Sequence, residues 1–455
     1  MVSTRRHSGS STIWTPGPLS RRGFLGLGGA LGLGAGLAAC GGGGGAATPR
    51  AEGDGGAGGY EGPAVELAFW NGFTGGDGPI MREMADTFSA DQANIDVKMT
   101  TMEWADYYQK VPSAVTTGNG PDVGIMHVDS LATNAARGVI QPLDDVAEAL
   151  GFQESDFAAE VWNAGMYDGA RYGIPLDVHP LGMFYNKTVL EQAGLDPENP
   201  PQTADDYMAA LAELKAAGIQ GHWATPFQFT GAFQFQSLLW QFGGDLFNED
   251  TTEATFNSDA GVEALTWLRS LVDQGYSPSD VGQDADSIAF QNGQAAFCWN
   301  GIWAMNSYAE VSGLEWGAAP LPQIGDQAGA WAGSHQFVIM KQRRPDENKL
   351  EAAKVFINEI SQKSLEWAGG GQVPARKEVR EGSDFAALEV QSTLAQQVDA
   401  LRFPPPVAGV GDALAPMNEA VNLAVLGKTD PKAALDDAAS QAAKILEENR
   451  QKYGG

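Results

Sequence analysis

The sequence predicts an α/β protein built as two domains, and three observations carry that reading. Short apolar stretches that alternate like strands are followed, repeatedly along the chain, by longer stretches with helical spacing. Of the 455 residues, 43% are hydrophobic and 19% charged, an ordinary globular composition. A chain of this length exceeds what one hydrophobic core holds and divides naturally in two. What departs from this composition is gathered at the N-terminal end.

That end reads as an address. "SRRGFLGLGGALGLGAGLAAC", Ser20 to Cys40, opens with the pair Arg21-Arg22, continues as an uncharged apolar segment diluted by glycine, and stops at Leu37-Ala38-Ala39-Cys40. Glycine costs roughly 1 kcal/mol per helix position, so the segment is a poor membrane span. The order of features resembles a bacterial twin-arginine export signal ending in a lipobox. The resemblance implies cleavage before Cys40, lipidation of its thiol and attachment to the outer face of the cytoplasmic membrane. Residues 1–39 are then the leader, and 40–60 a flexible glycine and alanine tether.

The folded part begins with "VELAFW", in which Val65, Leu67 and Phe69 share one side of a strand that breaks at Asn71-Gly72. "IMREMADTFSAD" follows with Ile80, Met84 and Phe88 at helical spacing, and "IDVKMT" alternates again, which completes a βαβ unit. A second unit runs through "GNGPDVGIMHVDSLATNAARGVI", with a short strand at "DVGIMH" and a helix from Ser130 to Arg137. In "QTADDYMAALAELKAAGI", Thr203 reads as an N-cap, Tyr207, Leu211 and Leu214 as the buried stripe, and Gly218 as the stop.

Charge and cysteine narrow the partners. The formal charge is −29, and loss of a leader with four arginines and no acids makes the remainder more negative still. Nucleic acid and anionic lipid surfaces are therefore disfavoured. Cys298 is the one cysteine besides Cys40 and lies in the apolar run "AAFCW", the setting of a buried, inert thiol.

Motifs for catalysis are missing: no G-x-S-x-G elbow, no H-E-x-x-H, no C-x-x-C, no P-loop, and no G-x-G-x-x-G between a strand and a helix. His7, His127, His179, His222 and His335 include no pair at metal-ligand spacing, so neither a metal nor a cofactor is expected. A carboxylate pair assembled in space, as in glycosidases, stays open. Several of the twelve tryptophans stand beside Gly, Asn or His: Trp70-Asn71-Gly72, Trp299-Asn300-Gly301-Ile302-Trp303 and Trp331-Ala332-Gly333-Ser334-His335. Aromatic faces with neighbouring polar groups are what a neutral carbohydrate requires of a binding surface.

The order of motifs resembles the extracellular solute-binding proteins of sugar-type ABC importers, the family of the maltose-binding proteins. The matching segments are "LAFWNGFTGGDGPIMREMADTF", "GNGPDVGIMHVDSLATNAARGVIQPLDD", "RYGIPLDVHPLGMFYNKTVLEQAGLD" with "PPQTADDY", "IAFQNGQAAFCWNGIW", "APLPQIG" and "GGGQVPARKEV". The resemblance implies a periplasmic-binding-protein type II fold, two α/β lobes joined by a hinge that the chain crosses three times, with the ligand in the cleft between them. Crossings are expected near Asp177 to Gly182, Trp331 to Phe337 and Pro374 to Glu381. The lobes would then comprise 61–177 with 337–374, and 182–331 with 380–455.

The same resemblance implies the contacts. Asn71, Phe73 and Thr74 lie on the loop after the first strand, His127 and Asp129 after "PDV", and His179 on the first hinge strand. Phe233 and Gln234 stand in "FTGAFQFQ" and Trp299 and Trp303 in "CWNGIW", with Trp303 as the stacking residue and Trp299 beside or beneath it. Trp331, Ser334 and His335 lie at the second crossing, where Gly333 allows close approach of backbone. An oxyanion ligand favours arginines, and these segments hold almost none, with Arg376 and Arg402 as the exceptions. The expected function is capture of a neutral sugar, of di- or oligosaccharide size, by a monomer that delivers it to a membrane permease. A polyol or glycerol phosphate binder, an exported carbohydrate-active enzyme and a scaffolding lipoprotein remain the alternatives.

Overall fold

The computed structural model describes residues 59–227 and 230–454. The leader and Cys40 lie outside them. In chain order the strands are β1 (Val65–Asn71), β2 (Ile95–Thr101), β3 (Val123–His127), a small hairpin of β4 (Met166–Tyr167) and β5 (Ala170–Arg171), β6 (Ile174–Pro175) and β7 (Asp177–Asn186). They continue with β8 (Gln220–His222), β9 (Ala295–Gly301), β10 (Trp316–Ala319), β11 (Ala330–Gly333), β12 (His335–Ile339), β13 (Val373–Pro374) and β14 (Leu401–Arg402).

Two sheets organise these strands. The first runs β2-β1-β3-β12-β6, with β1 parallel to β2 and β3 and β12 antiparallel to β3. Leu67 and Phe69 of β1 are fully buried, as the alternation requires, and the helix Gly78–Asp91 covers them with Met81, Met84, Ala85 and Phe88. The second sheet runs β14-β11-β7-β9-β8, with β10 and β13 also paired to β7. Its helix Ala204–Ala216 is capped by Thr203, whose Oγ1 accepts from Asp206 N–H at 3.2 Å. That helix buries Tyr207, Leu211 and Leu214 fully, and Gly218 follows it at φ +81°. The helix expected from Ser130 begins earlier, at Val128, directly after β3.

Strand β7 organises the molecule. All ten of its residues are buried, because it has partners along its whole length: β13 at Asp177 and Val178, β11 at His179 and Pro180, β9 from Leu181 to Tyr185 and β10 from Met183 to Asn186. Only Leu176 separates β6 in the first sheet from β7 in the second, and only Ser334 separates β11 in the second from β12 in the first. Ser334 fastens these two passages together, since its hydroxyl donates to the Asp177 carbonyl at 2.6 Å and accepts from Gln336 Nε2 at 2.9 Å. Among the described residues no helix is long and apolar enough to cross a membrane. Cys298 is buried in β9, and burial pushes its thiol well above the usual range.

Candidate functional site

The two sheets meet where β3, β7 and β12 bring three histidines together. His127 ends β3, His335 begins β12 directly opposite it in the antiparallel register, and His179 lies two residues into β7. One ring nitrogen from each of the three lies within 4.8 Å of the other two. Ring centroids of His179 and His335 are 4.4 Å apart, and those of His127 and His335 4.9 Å. No pattern along the sequence announces this cluster, because each ring comes from a different strand.

A single carboxylate holds two of the rings. Asp177, fully buried at the start of β7, accepts from His335 Nδ1 at 2.7 Å and Trp367 Nε1 at 2.7 Å on Oδ2, and from His335 N–H at 2.9 Å and His179 Nδ1 at 3.2 Å on Oδ1. Burial alone would raise the Asp177 carboxyl, yet the neighbouring His335 and the hydrogen bonds from both imidazoles outweigh it and hold the carboxyl far below the usual range. Burial lowers His179 to about 4, with His335 adding to the effect and Asp177 only partly opposing it. Burial also drives His127 well down, so both rings are neutral near pH 7. The third ring nitrogen already engaged is His127 Nδ1, 2.8 Å from Tyr108 Oη, which also accepts the His127 backbone N–H at 2.9 Å.

Aromatic rings surround the cluster. Trp104, the first residue of the helix Trp104–Thr117, lies parallel to His335 within 11° at 5.6 Å and 4.3 Å from His127. From the second sheet, Trp303 meets His179 edge-on at 5.9 Å, and Trp331 lies 6.3 Å from His179 while stacking on Phe233 at 3.5 Å. Trp303 is 39% exposed, one of two large apolar side chains open to solvent among the described residues. Two glycines make room for this packing. A Cβ on Gly333 would lie 2.1 Å from His179 Nε2, and one on Gly72 would lie 2.0 Å from the Trp104 ring.

The residues expected at the site divide into three groups. His127, His179, His335, Trp303 and Trp331 come together, with Phe233 behind Trp331 and Phe73 packed edge-on against His335 at 4.9 Å. Thr74 and Asp129 are exposed at the rim, where Thr74 Oγ1 donates to Glu103 at 3.3 Å and Asp129 accepts from Ser130 at 3.3 Å.

Four of the expected residues have buried side chains engaged within the fold, and Trp299 takes the second of the two places expected for it, beneath the site. Trp299 is 1% exposed and stacks on Trp267 at 5.6 Å, which makes it core of the second sheet beneath the site. Gln234 donates to the Trp299 carbonyl at 2.8 Å, Ser334 fastens the crossing, and Asn71 Oδ1 accepts from Phe73 N–H and Thr101 Oγ1 to shape the loop after β1. Trp104, Tyr108, Asp177 and Trp367 were missed, although "MEWADYY" placed an exposed-looking aromatic group on a helix start. The lack of a histidine pair at metal-ligand spacing along the chain does not extend to space, where three strands bring one nitrogen of each ring within 4.8 Å of the others. Arg376 pairs with Glu378 at 2.6 Å over the Phe152 ring, and Arg402, opposite Trp331 in the β11–β14 register, donates to the Leu401 carbonyl.

Residues 83–391 match the family model of the bacterial extracellular solute-binding proteins, and this stretch contains all three histidines and both site tryptophans of the second sheet. The chain belongs to that family. This solute-binding protein has the type II periplasmic-binding fold of two α/β lobes, which it shares with the cyclic α-maltosyl-1,6-maltose binding protein of Arthrobacter globiformis. The two are 26% identical with a TM-score of 0.74, over 85% of this chain and 100% of that one. The sugar-binding protein MalE of Xanthomonas citri has the same fold, with a TM-score of 0.75 at 22% identity over 86% of this chain and 99% of that one. A putative binding protein of Brucella abortus is 25% identical across 81% of this solute-binding protein and 90% of its own length. The sn-glycerol-3-phosphate-binding periplasmic protein of Shigella dysenteriae is 27% identical over 57% of this chain and 61% of its own. As a family member the protein acts outside the cytoplasm.

Proposed function

We propose that this protein captures a neutral saccharide, of di- or oligosaccharide size, between its lobes and delivers it to the permease of an ABC importer. The observation that carries the reading is the set of aromatic rings about the imidazoles at the crossing, Trp104 from the helix after β2 on one side and Trp303 after β9 with Trp331 of β11 on the other. Sugar C–H faces pack on such rings while hydroxyls reach the polar groups. The sugar ligand of the Arthrobacter protein supports the same class. Lobes of 61–177 with 337–374 and 182–331 with 380–455 would close about β7, Ser334 and β13, enclosing the ligand and giving the permease a shape to read. No bond is broken in this cycle. Before export, the twin-arginine leader directs the chain out, and lipid on Cys40 tethers the monomer to the membrane.

Glycerol phosphate is the second reading, favoured by the Shigella relative. A phosphate calls for a converging arginine or lysine; Arg376 is paired with Glu378, so this reading would rely on Arg402, which stands opposite Trp331 in the sheet. Thermal unfolding of the full-length chain against neutral sugars, polyols and sugar phosphates separates the two. A ligand at a hundredfold excess over its Kd contributes about 2.7 kcal/mol, a shift of several degrees. The proposal expects neutral sugars to raise the midpoint and to be recovered intact, and a response to glycerol phosphate alone overturns it.

A further inference from the structure

We propose that His127, His179 and His335 form a seat for one divalent transition-metal ion of the zinc type, with a fourth coordination position open toward the cleft. The inference goes beyond solute capture and does not depend on a sugar being the solute.

The argument begins with Asp177. Each Asp177 oxygen already accepts from an obligate donor, Oδ2 from the Trp367 indole N–H and Oδ1 from the His335 backbone N–H, so it faces the Nδ1 atoms of His335 and His179 as an acceptor. A metal binds the neutral imidazole, and with the proton on Nδ1 the lone pair offered is that of Nε2. A carboxylate behind the imidazole is the arrangement that orients histidines on a metal and raises their basicity. One carboxylate here orients two ligands, with the Trp367 indole N–H and the His335 backbone N–H fixing it in turn.

The third ligand requires one specific tautomer. With Nε2 on the metal, His127 gives its Nδ1 proton to Tyr108 Oη, which accepts this bond and the one from the His127 backbone N–H. A phenol oxygen has the two lone pairs for that, and its own proton points elsewhere.

One ring nitrogen of each histidine lies within 4.8 Å of the other two, and three such acceptors need a partner that satisfies all of them. A sugar hydroxyl has one proton and answers one acceptor. A divalent cation answers three at once, and imidazole nitrogen is its preferred borderline ligand. Ligand nitrogens about a tetrahedral zinc lie ~3.3 Å apart, so each ring moves inward by about an ångström. Trp104 and Trp303 wall the cluster, and the partial exposure of His127 and Trp303 marks the side from which an ion enters and a fourth ligand reaches it.

The test is titration of the full-length chain, stripped with a chelator, with zinc chloride alone by calorimetry and with cobalt chloride alone by visible absorption. The expected result is one equivalent bound, with the strong visible bands of four-coordinate cobalt. His127→Ala, at the least buried ligand, should abolish both signals in a chain that still unfolds cooperatively. Tyr108→Phe, which removes only the outer contact, should weaken zinc 10–100-fold. Undiminished metal binding in folded His127→Ala, or no binding by the parent chain, overturns the seat. So does stabilisation by methylammonium without any by zinc, because an ammonium can also donate to three acceptors. Sugar binding measured with chelator present reports on the solute-binding reading separately, so either proposal can fail while the other stands.

Discussion

His335 Nδ1 lies 2.7 Å from Asp177 Oδ2, and the contact joins the first residue of a strand in one sheet to the first residue of a strand in the other. It sits where the chain passes between the sheets, so one buried carboxylate both stitches the crossing and orients the site. Asp177→Ala leaves two imidazoles and an indole N–H without their acceptor. Each buried donor left without its acceptor typically costs about 1–3 kcal/mol. Urea unfolding should show a loss of that order with an unchanged m-value, and a loss under 1 kcal/mol would mean the contact is dispensable.

Trp303 and Trp299 stand four residues apart and make opposite predictions. Trp303→Ala removes an exposed face and should weaken saccharide binding by about tenfold or more at little cost to stability. Trp299→Ala empties a core position stacked on Trp267 and should cost about 3–5 kcal/mol of stability. Binding and unfolding measured on both variants check the assignment, and the reverse pattern would exchange their roles.

Much of the fold was legible in the sequence because its elements are local. Leu67 and Phe69 alternate, Met84 and Phe88 repeat at helical spacing, and Thr203 caps its helix as read. The site was legible only in part. His127, His179 and His335 could be named from motif positions, but their convergence depends on strand register, which pairs His335 with His127 and His179 with Gly333. Trp299 and Trp303 look alike in "CWNGIW", and only the turn after β9 decides which faces inward. Asp177 was read as the start of a crossing but not as a site residue, because two of its partners, His335 and Trp367, lie 158 and 190 residues away.

Gly333→Ala tests the close approach at the crossing. The added methyl would collide with His179 Nε2, and the neighbouring atoms are strand and ring rather than a flexible tail. Ligand binding should fall together with stability, read from the same thermal-shift titration. A variant that binds and unfolds like the parent would show that β11 can shift without disturbing His179.

Acid should weaken the fold through His222, which lies outside the cluster. Burial lowers its ring to about 3, and Tyr207 Oη is 2.6 Å from its Nδ1. An unfolded histidine takes its proton near 6.5. Between these values the unfolded chain binds the extra proton, so stability declines as pH falls from about 6.5 toward 3, by up to ~1.4 kcal/mol per pH unit for this group. His222→Gln should flatten that slope in denaturant midpoints measured from pH 7 to 4. An identical slope would place the proton uptake at other groups.

Asp286 works in the opposite sense. Burial raises its carboxyl to about 6, and Cys298 Sγ approaches it at 3.8 Å. The folded state keeps this proton where the unfolded state has lost it, so stability from this group is full below about 4 and declines as pH rises toward 6. Asp286→Asn should therefore stabilise the protein at pH 7 by about 1–3 kcal/mol and have little effect at pH 4. Equal effects at both pH values would mean the carboxyl titrates normally.

The central claim, capture of a neutral saccharide between the lobes, is tested most directly by intrinsic tryptophan fluorescence during titration with maltose and longer neutral oligosaccharides. Trp104, Trp303 and Trp331 line the site, so occupancy should change emission saturably, the sugar should be recovered unchanged, and Trp303→Ala should shift the midpoint to higher concentration. A saturable response to glycerol phosphate with none to any neutral sugar, or release of hydrolysed sugar, would contradict the account.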